Sequence, residues 1–151
     1  MKTGKFQTVL VYQIKVDETD IQNFNRGKSV PVIDMIQNLR CFGSAQWTSQ
    51  NFIYFSLVAK VFSESENALE DAFMIMQRVD ENHTPENNPA FVDLTGNNSY
   101  HSLSVGDILI VHDHNDPEDF DGKYYMVEGI GFKEIDIMMA NDILQFGKGV
   151  N

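Results

Sequence analysis

This sequence has a single cysteine and no long apolar run. Its one cysteine, Cys41, cannot form an intramolecular disulfide, so we expect a reducing compartment, the cytoplasm. No signal-like segment opens the sequence, and no run approaches the roughly 18 apolar residues that span a bilayer, so we expect neither export nor a membrane partner. Hydrophobic residues still make up 42% of the 151 residues, which is enough for the core of a single domain over residues 1–151.

Basic residues are also scarce, and their distribution is uneven. The chain has 11 Lys and Arg against 22 Asp and Glu, which gives a formal net charge of −11. Residues 1–78 hold eight acids and eight bases, whereas residues 79–151 hold 14 acids and three bases. No Lys or Arg lies within residues 79–122, and all four histidines do. This excess disfavours direct binding to nucleic acid and predicts that the second half carries the functional surface.

Four segments have the patterns of β-strands. Residues 8–16 alternate between apolar and polar positions, which predicts a half-buried strand. Residues 51–62 are largely apolar at both parities, which predicts a strand in the centre of its sheet. Residues 102–112 and 123–132 flank a very polar connection and therefore predict a hairpin with a long acidic tip.

Two helices are predicted before the second strand. Ile21 and Phe24, three residues apart, indicate a short helix. Ser29 is a favourable N-cap for the next one, with Pro31 in its first turn and its end at residues 41–43.

Two more helices and a loop complete the predicted order. The sequence Ser-Glu-Ser-Glu at residues 63–66 is typical of a capping box, in which Ser63 and Glu66 satisfy the first backbone amides of a helix. Residues 80–96, with two prolines and several asparagines, predict a long loop. The order of elements predicts an α+β domain, with a mainly antiparallel sheet or a partly open barrel and two to four helices. The final helix is predicted from Ile135, Met138, Met139, Ile143 and Phe146.

One part of the chain resembles a known family. Residues 69–73 read Leu-Glu-Asp-Ala-Phe, residues 102–111 read Ser-Leu-Ser-Val-Gly-Asp-Ile-Leu-Ile-Val, and residues 129–135 read Gly-Ile-Gly-Phe-Lys-Glu-Ile. In that order, over residues 69–135, these motifs resemble the YodL-like domain of phage and mobile-element proteins. The resemblance implies a phage or mobile-element origin, hence the host cytoplasm, and transfers no catalytic residues. Physically, Gly106 suits a tight turn at positive φ, and Asp107 suits hydrogen bonds to neighbouring amides.

A metal site is one possible use of the histidines. His112 and His114 are two residues apart, so on an extended segment both side chains point the same way, as divalent metal ligands do. The competing interpretation, a solvated acidic loop with exposed histidines, is favoured. Further ligands for such a site would come from His83, His101, Asp113 and Asp116.

Nucleophilic catalysis has little support in the sequence. Cys41 beside Phe42 is expected to be a buried, inert thiol, and Ser102 and Ser104 lack the surroundings of a nucleophile elbow. We therefore assign no catalytic residues. The leading hypothesis is a non-enzymatic accessory protein that binds a host or phage protein through an acidic face, and the alternatives are a metal-dependent hydrolase and a DNA-mimic inhibitor. The predicted partner-binding residues are Asp113, Asp116, Glu118, Asp119 and Asp121.

Overall fold

The fold is an antiparallel β-sheet with helices on both of its faces. The computed structural model describes residues 7–47, 49–77, 84–97, 99–113 and 122–135. Within them the strands are β1 (Gln7–Ile14), β2 (Phe55–Ser63), β3 (Phe91–Asp93), β4 (Ile108–Asp113), β5 (Lys123–Val127) and β6 (Phe132–Glu134). The α-helices of the same part are α1 (Glu18–Asn25), α2 (Pro31–Phe42) and α3 (Ala68–Ile75). The strand order is β3-β2-β1-β4-β5-β6, which confirms the predicted α+β class.

Strand β1 lies inside the sheet, between β2 and β4. Its residues alternate between two cores: Val9 and Val11 pack with α3, whereas Leu10 and Tyr12 pack with α2. The sequence predicted a half-buried strand, but both faces of β1 are covered because a helix lies on each side of the sheet. Gln13 falls at a buried position of this strand and is only 2% exposed.

Strand β2 differs from its prediction in two ways. The first residues of the predicted strand belong to a 3-10 helix, Ser49–Tyr54, so the strand starts at Phe55. A bulge then shifts the register, because Tyr12 pairs with Leu57 and Val11 pairs with Ala59. Before the bulge, Phe55 packs in the α2 core; after it, Ala59 and Val61 pack in the α3 core. The apolar residues of this segment therefore do not share one face of the sheet.

Helices α2 and α3 each bury one apolar stripe on the sheet. Helix α2 buries Val32, Met35 and Leu39, and α3 buries Ala68 and Ala72. Helix α1, in contrast, has no buried residue and starts with a capping box between Asp17 and Asp20. An antiparallel sheet with two apolar faces needs helices on both sides to cover them, and α2 and α3 supply that cover.

Both predicted serine caps are wrong. Val30 is the N-cap of α2, and the Ser29 hydroxyl instead donates to Asp34. Helix α3 starts at Ala68 rather than after Ser63, because Ser63 pairs with Gln7 as the last residue of β2. The hydroxyls of Ser63 and Ser65 donate to Asp71 Oδ2 at 2.8 and 2.7 Å.

The second half of the chain follows its prediction more closely. The hairpin is confirmed, since β4 and β5 pair in antiparallel register, and a turn at residues 128–131 divides the predicted second strand into β5 and β6. The predicted loop supplies the edge strand β3, which pairs with β2. The predicted final helix starts at Ile135, the last described residue, and the rest of it lies outside the described residues. Cys41 is exposed rather than buried. No helix in the described ranges has the length and apolar character needed to cross a membrane.

Candidate functional site

Two of the predicted site residues lie at the end of β4. His112 pairs with Thr8, and Asp113 pairs with Gln7 at the start of β1. The imidazole of His112 lies close to Gly122, where an added Cβ would be 3.1 Å from its Nδ1. The other predicted residues, Asp116, Glu118, Asp119, Asp121 and His114, lie outside the described residues.

Gln7 brings two acidic segments to the same end of the sheet. It pairs with Ser63 on one side and with Asp113 on the other. The turn after Ser63 contains Glu64 and Glu66, and the chain after Asp113 connects the ends of β4 and β5. We call the turn 64–67 and the segment 113–122 the acidic end. The turn contributes two acids and the segment 113–122 contributes five, which makes seven. The bases nearest to these segments in the sequence are Lys60 and Lys123.

The metal hypothesis gains no support from the described side chains. Within residues 7–47, 49–77, 84–97, 99–113 and 122–135, no group of three or more His, Cys, Asp or Glu residues is placed to hold a metal ion. His101 is far from His112, because His101 contacts Gln13 near the end of β1 while His112 pairs with Thr8 near its start. His83 and His114 lie outside the described residues.

The opposite end of β1 holds a network of buried polar groups centred on Gln13. The Gln13 amide nitrogen donates to the His101 carbonyl at 2.8 Å and to Asp107 Oδ2 at 3.0 Å. The Gln13 amide oxygen accepts from the His101 backbone N–H at 3.1 Å. The side chain of Gln13 therefore fixes the segment that leads into β4 against the end of β1.

Asp107 is the buried acid of this network. Its side chain is 4% exposed, and Oδ2 also accepts from the Ser104 backbone N–H at 3.0 Å. Burial raises the pKa of the Asp107 carboxyl from 3.8 to about 6, and the charge of His101 and the hydrogen bonds from Ser104 and Gln13 oppose that rise. Gly106 has a φ of +98°, which confirms the positive φ expected there.

A cleft opens above this network. It has a volume of about 520 Å³ and is lined by Arg40, Tyr100, His101, Ser102 and Ser104. A smaller space of about 50 Å³ adjoins it, in which Asp107 lies beside Arg40 and apolar residues of α2. His101 Nδ1 is 2.7 Å from the Ser102 carbonyl and 3.9 Å from Asp107 Oδ2. The cleft thus combines a cation, an imidazole and hydroxyl groups above a buried carboxyl group.

A third feature is an apolar groove between α3 and the β5–β6 turn. It has a volume of about 300 Å³, and its walls include Phe73, Met74 and Phe132. Met74 is 72% exposed, and Ile130 in the turn is 97% exposed. Exposed apolar side chains in a cluster are typical of protein-binding surfaces.

Sequence reasoning missed the network and the cleft. It identified Asp107 only as a turn residue and gave no role to Gln13 or Arg40. The one available signal was Gln13 itself, a polar residue at the same strand parity as Val9 and Val11. A polar side chain at a buried position requires hydrogen-bond partners, but the sequence does not say which ones.

Comparison with protein-family models, curated proteins and solved structures gives no match to this chain. The fold and its sites define an α+β protein with an acidic end and a polar cleft at opposite ends of one central strand.

Proposed function

We propose that this protein is a non-enzymatic accessory protein of a phage or mobile element that binds a host or phage protein through its acidic end. The observation that carries the proposal is the pairing of Gln7 with both Ser63 and Asp113. This pairing adds Glu64 and Glu66, from the half of the chain whose charges balance, to the acids of the 113–122 segment.

The chemistry of the partner follows from this charge. A surface with one sign of charge attracts a basic patch, raises the association rate and rejects acidic partners. The partner is therefore expected to have clustered Lys and Arg at its contact surface. The apolar groove beside α3 supports a protein partner, since Phe73 and Met74 in its wall are exposed and suited to burial in an interface.

The test compares two variants of equal net charge. One variant carries Asp116→Asn and Asp119→Asn in the acidic end. Its matched control carries Glu18→Gln and Asp34→Asn, two exposed acids on α1 and α2. The partner is captured from host lysate by the wild-type chain, identified and purified, and its affinity for each variant is measured at two salt concentrations.

We expect the acidic-end variant to bind about three- to tenfold more weakly at low salt and the control to bind like the wild type. Equal weakening in both variants would mean that overall charge alone matters. Unchanged affinity in the acidic-end variant would contradict the proposal. Competition by duplex DNA for the same partner would assign the DNA-mimic alternative.

A further inference from the structure

Arg40 is the cation of the cleft, and its nearest acid among the described residues is the buried Asp107, whose pKa its charge lowers. It lies in the last turn of α2, is exposed, and lines the cleft together with His101 and Ser102. Among the described residues, Arg40 has no ion-pair or hydrogen-bond partner. A guanidinium group in a concave site presents several N–H donors in a fixed geometry, which suits carboxylate and phosphate ligands.

The imidazole of His101 is held in place beside Arg40. Its Nδ1 is 2.7 Å from the Ser102 carbonyl, so Nδ1–H donates there, and Nε2 is left as the ring nitrogen for a ligand. The side-chain amide of Gln13 bonds both backbone groups of His101, the carbonyl and the N–H, and so fixes the backbone at this residue. A group that is positioned before binding loses little conformational freedom when the ligand arrives.

The negative charges of the molecule do not prevent anion binding in this cleft. Asp107 is only 4% exposed, and its Oδ2 is already engaged by Gln13 and Ser104. The acidic end lies at Gln7, six residues along β1 from Gln13, which is about 20 Å at the rise of a β-strand. That separation exceeds the Debye length of about 8 Å at physiological ionic strength, so the acidic end is screened from the cleft.

We propose that the cleft at Arg40, His101 and Ser102 is a binding site for a small phosphate-bearing molecule. The guanidinium of Arg40 and the hydroxyl of Ser102 donate to the phosphate oxygens, and the His101 imidazole lines the same cleft beside them. A guanidinium and a hydroxyl together offer several N–H and O–H donors, which match the several oxygens of a phosphate group. This site is separate from the acidic end, so either one can be shown or refuted without the other.

The test is a titration followed by ¹H–¹⁵N NMR, with inorganic phosphate and acetate as probes at constant ionic strength and constant pH. The variant is Arg40→Gln, and the matched control is Arg26→Gln, an exposed arginine at the end of α1. Both residues are at the surface, and the dispersion of each spectrum reports whether the variant is folded.

We expect saturable shifts at the amides of His101, Ser102 and Ser104 with phosphate. We also expect at least fivefold weaker binding in Arg40→Gln, wild-type binding in Arg26→Gln, and weaker binding of acetate than of phosphate. Shifts that do not saturate, or equal weakening in both arginine variants, would overturn the site. Acetate binding as tight as that of phosphate would overturn the phosphate class of ligand.

Discussion

Gln13 and Asp107 are 94 positions apart in the chain, yet the Gln13 amide donates to Asp107 Oδ2 at 3.0 Å. Both side chains are almost completely buried, with 2% and 4% of their surface exposed. The contact joins the end of β1 to the residue before β4, two strands that pair in antiparallel register. One amide thus ties a core strand to the segment that lines the cleft.

Replacing Gln13 with leucine is expected to destabilise the protein by about 3 kcal/mol. The substitution removes both hydrogen bonds to the backbone of His101 and one of those to Asp107 Oδ2, which keeps only the bond from Ser104. Hydrogen-bonding groups that are left unsatisfied away from water are costly. The free energy of unfolding is measured with urea. Gln22→Leu on the exposed face of α1 is the control and should change it by no more than about 0.5 kcal/mol. Equal effects of the two substitutions would show that the network contributes nothing.

The pKa of Asp107 predicts a specific dependence of stability on pH. Since the carboxyl has a pKa of about 6 in the fold and an ordinary pKa of 3.8, the folded state binds this proton more tightly than the unfolded chain does. Ionisation of Asp107 therefore destabilises the fold, starting near pH 4 and reaching its full effect above pH 6, by about 3 kcal/mol.

The measurement for Asp107 is a difference between two proteins. The unfolding free energy of the wild type minus that of Asp107→Asn is determined at intervals from pH 4 to pH 7, so the contributions of other acids cancel. We expect the difference to fall by about 2–3 kcal/mol over this range. A difference that stays constant with pH would show that the carboxyl titrates at its ordinary pKa in the fold.

Gly122→Ala should cost more stability than Gly27→Ala. The two glycines have almost the same φ, +78° and +77°, so the backbone strain of an alanine is the same at both. An added Cβ at Gly122 would lie 2.7 Å from the Val111 carbonyl oxygen, whereas nothing lies within 4 Å at Gly27. We expect about 1–3 kcal/mol of additional loss at Gly122, measured as a difference in unfolding free energy. Identical losses would contradict the close approach of β4 to Gly122.

Asp71→Ala is expected to destabilise the protein by about 2 kcal/mol more than Glu70→Ala. Both acids lie in the first turn of α3, where the helix dipole favours negative charge, but Asp71 also accepts hydrogen bonds from the hydroxyls of Ser63 and Ser65. Chemical denaturation of both variants gives the comparison. If the two variants unfold at the same denaturant concentration, the serines do not fasten α3 to the end of β2.

Local sequence patterns predicted most element types but not their limits, and they missed β3 and the 3-10 helix before β2. The prolines, glycines and apolar spacings predicted the hairpin and the short helix around Ile21 correctly. They failed at Ser29 and Ser63, because a serine hydroxyl serves as an N-cap or as a donor to a nearby carboxylate in the same local sequence. Pairing with Gln7 decided the role of Ser63, and that pairing is not local.

The sequence by itself determined the α+β class, the two-sided apolar character of β2 and the segregation of charge into the second half. Those properties depend on composition and on periods of a few residues, which are visible without a fold. Only the tertiary structure decided that Glu64 joins the acidic end and that Gln13, His101 and Asp107 meet beside Arg40. These contacts follow from the register and order of the strands. Register is set by the packing of the whole sheet between its helices, with a bulge in β2 that no local pattern announces.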